Sequence, residues 1–321
     1  MNQILEKIYR IGIVPVIKID HAEDAYLLGK ALLDGGLPVA EVTFRTSAAK
    51  DVIKIINEKL PEMLLGAGTV LTRQQVDDAI EAGAKFIVSP GFNPDIVKYC
   101  IEKDIPIIPG CSNASDIEAA LSLGITTVKF FPAELLGGLK MIKALAAPYV
   151  NVTFIPTGGV NENNICEYLD YEKIIACGGT WMVDAKAIEQ KDFERVKKLT
   201  QEAVKTMLGI KLEHVGVNGT PDSALEIAKG FSDLLKVETI EGTSSIFAGT
   251  SIEVMRDLGR GTHGHICYTV NNVDRAVNYY ESHGFRFIEE TKKTDDKGRL
   301  KFCYFEGEIG GFAVHLKQKA K

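Results

Sequence analysis

The sequence predicts an α/β protein, a (β/α)8 TIM barrel followed by a smaller α+β domain of paired βαβββ units, and three observations carry that prediction. Eight short β-branched runs alternate with helical segments up to about residue 207. The runs are continuously apolar rather than alternating, the pattern of parallel strands buried on both faces. From about residue 211 the plan changes: a strand, a helix and three strands occur twice in succession, and five of the six histidines lie in this stretch.

The barrel strands are expected over 13–17, 39–44, 64–66, 86–89, 105–108, 126–130, 152–155 and 173–176. Helices are expected over 22–34, 47–58, 72–82, 94–103, 114–122 and 163–169, and the first residues open as an amphipathic helix. Eight βα units in roughly two hundred residues favour closure into a barrel. A doubly wound open sheet is the alternative, but no GxGxxG follows the first strand. The last barrel helix, 193–207, stops at Gly209, a C-cap residue, which places the domains at 1–207 and 211–321. In the second domain, His214 opens a strand leading to a helix near 223–235 and strands that end at Val254. His265 opens another, leading to a helix near 273–282 and strands that end at His315.

Of 321 residues, 45% are hydrophobic, which supplies a substantial core. A net charge of -6 without a basic patch argues against nucleic acid or an anionic membrane as partner. Cys100, Cys111, Cys166, Cys177, Cys267 and Cys303 are scattered, form no CxxC pair, and read as reduced thiols of a cytoplasmic protein. No signal-peptide core opens the chain and no apolar run approaches twenty residues, so a soluble, unexported protein is expected.

Active sites of such barrels lie at the C-terminal ends of the strands. There, Thr126-Thr127-Val128-Lys129-Phe130-Phe131-Pro132-Ala133-Glu134 places a lysine inside an apolar, β-favouring run. Burial disfavours the charged form of an amine, which is how it becomes a nucleophile toward a ketone; snorkelling of Lys129 to water is the alternative. Strand alternation puts Glu41, Thr43 and Arg45 on one face. A glutamate near the lysine can shuttle protons and an arginine can grip a carboxylate, while a purely structural Glu–Lys or Glu–Arg pair stays open. Gly158-Gly159 after the seventh strand and Gly178-Gly179-Thr180 after the eighth offer backbone N–H groups that can cradle a phosphate.

Residues 1–207 resemble the class I aldolases that cleave 2-keto-3-deoxy-6-phosphogluconate (KDPG) and 2-keto-4-hydroxyglutarate (KHG). The motifs are Val14-Pro15-Val16, Glu41-Val42-Thr43 with Arg45-Thr46, Gly66-Ala67-Gly68-Thr69-Val70, Ser89-Pro90-Gly91, Ile107-Ile108-Pro109-Gly110, the Lys129 run, Pro156-Thr157-Gly158-Gly159 and Gly178-Gly179-Thr180-Trp181. The resemblance implies that Lys129 forms the Schiff base and Glu41 is the general acid/base. It implies that Arg45 and Thr69 hold the pyruvyl carboxylate, Pro90 and Phe131 shape the pocket, and Thr157 meets the substrate hydroxyl. Gly158, Gly159, Gly179 and Thr180 would bind phosphate. The family often has serine at the place of Thr180, whose hydroxyl is kept, and leucine at that of Phe44. It further implies a small keto acid substrate, no cofactor for this reaction, and a homo-oligomer, a trimer.

Residues 211–321 resemble the glyoxalase-like vicinal-oxygen-chelate domain. The strand positions that carry metal in that family are filled by His214, Glu253, His265 and His315, the last where glutamate is usual; such donors suit divalent Zn, Ni, Fe or Mn. Such domains also serve as metal-free binding or structural modules. An accessory domain and a second, metal-dependent isomerase, lyase or dioxygenase activity are therefore both open. His263 shares a face with His265 by period two and is the alternative ligand, whereas His21 and His283 read as surface residues flanking helices.

Overall fold

Local side-chain signals set several helix ends in the computed structural model, which describes residues 2–320. Asn2 accepts the Ile4 N–H to open α1 (Gln3–Ile11), which ends at Gly12 with φ of 80°. The first of two units, Met1–Met207, then runs through β1 (Ile13–Ile17), α2 (Ala25–Asp34), β2 (Val39–Thr43), α3 (Ala49–Lys59), β3 (Leu64–Gly68) and α4 (Arg73–Ala82). It continues with β4 (Phe86–Val88), α5 (Pro94–Glu102), β5 (Ile107–Ile108), α6 (Ala114–Ser122), β6 (Thr127–Phe130), α7 (Gly138–Ala146), β7 (Thr153–Pro156) and α8 (Ile165–Leu169). It closes with β8 (Cys177–Gly179), α9 (Ala185–Glu189) and α10 (Phe193–Leu208). A reciprocal Thr72–Gln75 capping box starts α4, and Asn93 followed by Pro94 starts α5.

Six strands lie in the order β5-β4-β3-β2-β1-β8, all in parallel, and β6 pairs in parallel with β7. Single parallel bridges, Gly110 to Lys129 and Thr157 to Gly178, join this pair to β5 and β8, so the eight strands follow one another around a ring. Every residue of β1 through β6 is buried, which explains their apolar, non-alternating letters.

The eighth strand departs from expectation. It is not at 173–176: Ile174 makes only an isolated bridge to Phe154, and the pairing with β1 begins at Cys177 opposite Ile13. Glycine is a poor strand former, so Gly178-Gly179 reads as a turn in the sequence. Here close approach demands both. A Cβ on Gly178 would stand 2.3 Å from Thr157 Oγ1, and one on Gly179 would stand 1.8 Å from the Trp181 ring. These glycines thus lie within the strand rather than in the loop after it. The helix expected from residue 22 opens as a 3-10 turn, Ala22–Asp24, and α7, the helix after the sixth strand, starts at Gly137-Gly138 without a side-chain cap.

The second unit, Leu208–Lys321, repeats one element order. The first copy is β9 (Lys211–Val217), α11 (Ala224–Leu235), β10 (Thr239–Glu241), β11 (Ser245–Ala248) and β12 (Ile252–Met255). The second is β13 (Gly264–Val270), α12 (Val273–Ser282), β14 (Lys293–Thr294), β15 (Leu300–Tyr304) and β16 (Phe312–Gln318). They form one eight-stranded mixed sheet, β10-β11-β12-β9-β13-β16-β15-β14, with the leading strands β9 and β13 antiparallel at its centre. One face packs Ile246 and Val254 against Ala224 and Ala228 of α11. Alternation sends Glu253, His214, His265 and His315 to the other face. In β9 the pairing skips from His214 to Leu212, so Glu213 is the extra residue of a β-bulge.

Candidate functional site

Lys129 is fixed by the backbone of β6, whose Lys129 N–H donates to Pro109 O and whose carbonyl accepts from Cys111. Its Nζ donates to Glu41 Oε1 at 3.1 Å, and the two side chains are only 7% and 5% exposed. Glu41 reaches this position from β2 because β3 leaves it room: a Cβ on Gly68 would stand 2.2 Å from Glu41 Oε1. Thr157, at the end of β7, lines the same narrow cavity, and its buried Oγ1 has no hydrogen-bond partner among the described residues. The Phe131 ring lies 5.5 Å from the ammonium and is partly exposed. An amine, a carboxylate in direct contact and an unpaired hydroxyl can add to a carbonyl, move a proton between adjacent atoms and orient a substrate oxygen.

The remaining barrel candidates lie at or just after the strand ends. Arg45 Nε donates to Thr43 Oγ1 at 3.2 Å, and Thr43 in turn donates to Ile17 O. Arg45 and Thr180 line a larger cavity of about 990 Å³ together with Lys18 and Trp181; it shares no lining residue with the Lys129 cavity. Thr69 holds a left-handed φ of 55°, a strained conformation for a β-branched residue. Pro90 lies in a loop closed by the Ser89 hydroxyl, which donates to Gly91 O. Gly158 and Gly159 have φ of 94° and 84°, which favour glycine, and the Asn161 and Asn164 amides both donate to Gly159 O. Those asparagines were missed in the sequence; Gly68, read there only as part of a motif, leaves the room that Glu41 occupies.

In the second unit, His214 Nε2, His265 Nε2 and Glu253 Oε2 form a nearly equilateral triangle: 3.2 Å between the imidazoles and 3.1 Å from each to the carboxylate. Hydrogen bonding alone cannot satisfy all three contacts: if both rings donate Nε2–H to Glu253, the two N–H groups face each other at 3.2 Å with no acceptor between them. Donors about 2.1 Å from one ion stand about 3.0 Å apart at right angles and about 3.4 Å apart at tetrahedral angles, so the spacing suits three ligands sharing a divalent ion. His315 adds a fourth imidazole, 5.1 Å from His265 and 5.8 Å from His214 between ring centroids, and its buried Nδ1 has no partner among the described residues. His263 is exposed and packs on Phe312, away from this set.

Electrostatics favour the ligating forms. Burial opposes charge on Glu253, but hydrogen bonds from His214, His265 and Ser245 outweigh it and hold the carboxyl well below the usual range. Burial, with His265 and His214 alongside, pushes His315 down to about 3, so its imidazole is neutral near pH 7. The His265 ring lies directly over Gly216, where a Cβ would stand 2.1 Å from it. Gly216, Glu213 and Cys267 are further members of this face that sequence reasoning missed.

Comparison with known proteins bears on the first unit. A family model described as KDPG and KHG aldolase matches residues 4–199. The 2-dehydro-3-deoxy-phosphogluconate aldolase of Treponema pallidum (strain Nichols) is 49% identical over 204 residues, 64% of this chain and 97% of that protein. The KHG/KDPG aldolase of Escherichia coli (strain K12) is 44% identical over 192 residues, 60% of this chain and 90% of that one. Among solved structures, the KDPG aldolase of Legionella pneumophila, with pyruvate captured as a covalent carbinolamine intermediate, superposes with a TM-score of 0.61 at 36% identity, covering 63% of this chain and 98% of the other. That of Zymomonas mobilis ZM4 with 3-phosphoglycerate gives 0.59 at 38%, covering 62% and 94%.

The space around Glu41 makes a direct prediction. Gly68→Ala drives a methyl group into the Glu41 carboxylate and is expected to destabilise the protein by about 1–3 kcal/mol in urea unfolding. Gly91→Ala, which meets nothing within 4 Å, serves as the near-neutral control. Equal unfolding midpoints for the two variants would contradict this placement of Glu41.

Proposed function

The chain belongs to the KDPG and KHG aldolase family and is an aldehyde-lyase, and on that premise we propose that the barrel is a class I aldolase with Lys129 as nucleophile and Glu41 as proton carrier. The buried 3.1 Å Lys129–Glu41 contact carries this reading. Its support from a relative is the carbinolamine held by the Legionella pneumophila enzyme, the adduct an amine forms with a ketone.

In the proposed reaction Lys129 attacks the C2 ketone of a 2-keto-4-hydroxy acid, water leaves, and a protonated imine results. The imine accepts the electron pair of the breaking C3–C4 bond as the C4 hydroxyl gives up its proton. Glu41, directly or through a water, takes that proton and later protonates the enamine; hydrolysis then frees pyruvate and Lys129. Thr157 turns its unpaired hydroxyl to the substrate hydroxyl, Arg45 and Thr69 hold the carboxylate, and Pro90 and Phe131 wall the pocket. Gly158, Gly159, Gly179 and Thr180 bind the phosphate of a KDPG-type substrate, whose aldehyde product is glyceraldehyde 3-phosphate; a hydroxyglutarate gives glyoxylate instead. This reaction uses no cofactor, and the enzyme works as a cytoplasmic trimer. No described helix is long and apolar enough to cross a membrane.

The second unit is read as a glyoxalase-like vicinal-oxygen-chelate domain that holds a divalent ion through His214, Glu253, His265 and His315. The converging donor triangle supports this and favours a bifunctional chain over a purely structural appendage. Bound there, the ion supplies a Lewis acid for a small oxo acid or aldehyde. The protein's part is to present two imidazole Nε2 atoms and one carboxylate oxygen, the other oxygen being held by Ser245 Oγ at 2.6 Å.

Two expected outcomes follow from these assignments. Glu41→Gln is expected to keep pyruvate binding and to lose about 10²–10⁴-fold in turnover; a wild-type rate would remove Glu41 from the chemistry. Purified full-length protein should take up one equivalent of a divalent transition metal by elemental analysis, and a His214→Ala, Glu253→Ala double variant should take up none. A metal-free wild type after exposure to Zn²⁺, Co²⁺ and Ni²⁺ would contradict the metal assignment.

A further inference from the structure

Cys267 stands among the donors of the second unit, and neither proposed reaction gives it a role. In the sheet register it lies between His214 of β9 and His315 of β16, and the three side chains share one face. One donor atom of each lies within 4.8 Å of the others. His214 belongs both to this group and to the triangle with Glu253 and His265. Cys267 is a free thiol with no exposed surface, and His315 beside it is 4% exposed with its Nδ1 unpartnered among the described residues.

The β-bulge adds a base aimed at the sulfur. Glu213, the extra residue of β9, turns its carboxylate onto the same face as His214, where Oε2 accepts the Cys267 thiol at 3.1 Å. Lys317 Nζ holds the other oxygen at 3.0 Å and so fixes the carboxylate. A thiol becomes a metal ligand only as thiolate; burial and the Glu213 carboxylate hold the Cys267 thiol well above its usual range, so the proton leaves only as the ion takes its place, with Glu213 as the adjacent acceptor.

We propose that His214, Cys267 and His315 are a second ligand set of this centre, one that takes thiophilic divalent ions such as Zn²⁺, Co²⁺ and Cd²⁺ with Cys267 as thiolate. The proposal rests on the metal reading of the domain. As the ion binds, the S–H bond breaks, a sulfur–metal bond forms, and the proton passes to Glu213 Oε2 and from there to solvent. Sulfur favours these ions over Mg²⁺, Ca²⁺ and Mn²⁺, whereas the Glu253 set alone accepts harder ions. Cys267 thereby sets which metals the domain retains.

The test is titration of the purified full-length protein with Co²⁺ and with Cd²⁺, reading metal stoichiometry together with the ultraviolet sulfur-to-metal charge-transfer band. One equivalent bound with the band present is expected. Cys267→Ser should lose the band yet still bind one equivalent through the imidazole and carboxylate donors. One equivalent bound by the wild type without the band overturns the role of Cys267 and leaves the metal reading standing; no metal bound overturns both. A band that persists in Cys267→Ser assigns the sulfur elsewhere and also overturns the proposal. The wild-type spectrum decides even where the variant folds poorly.

Discussion

Lys129 and Glu41 bring opposite charges together inside a ring of otherwise apolar strands, 3.1 Å apart and almost wholly out of water. Taking each ion out of water costs several kcal/mol, and an apolar pair of similar size would leave a domain as stable or about 1–4 kcal/mol more so. The contact is therefore expensive as a stabilising device, and removing either partner strands the other charge. Much of the barrel accommodates it. Gly68 on β3 leaves room for the carboxylate, the ends of β5 pin the backbone of Lys129, and β7 supplies Thr157 to the same cavity.

A single device recurs in both units: a glycine faces a buried polar side chain and yields it the volume a Cβ would fill. Gly68 does this for Glu41, Gly178 for Thr157 and Gly216 for His265, with clearances to an added Cβ of 2.2, 2.3 and 2.1 Å. Each glycine lies within a strand, where it weakens the local propensity. Local stability is given up so that a polar side chain can lie flat on the sheet or reach inward. The resulting positions are set by backbone, which is stiffer than a side-chain shelf would be.

These glycines also mark where the sequence is hard to read. Strands made of β-branched residues, such as β1, are visible because both faces are buried and every letter is apolar. The eighth strand is not, because Gly178-Gly179 mimics a turn and the apolar run at Ile174-Ile175 draws attention upstream. Lys129 and Glu41 stand out as charges in strands, but nothing in their spacing shows that residues 88 positions apart touch. In the second unit, His214 and His265 are read from the resemblance to a family, while period-two alternation alone leaves His263 level with His265. That alternation hides Glu213, whose side chain reaches the donor face only because a bulge breaks it. Cys267 is masked for a different reason, since a buried cysteine ordinarily reads as a small hydrophobe.

The proposed aldolase reaction depends first on Lys129 as its covalent nucleophile. Borohydride reduction of the full-length protein in the presence of pyruvate, followed by peptide mass analysis, tests it directly. One reduced pyruvyl adduct per chain on the Lys129 peptide, absent without pyruvate, is the predicted result. An adduct confined to another lysine, or an unmodified Lys129 in protein that still cleaves its keto acid after the same treatment, would contradict it.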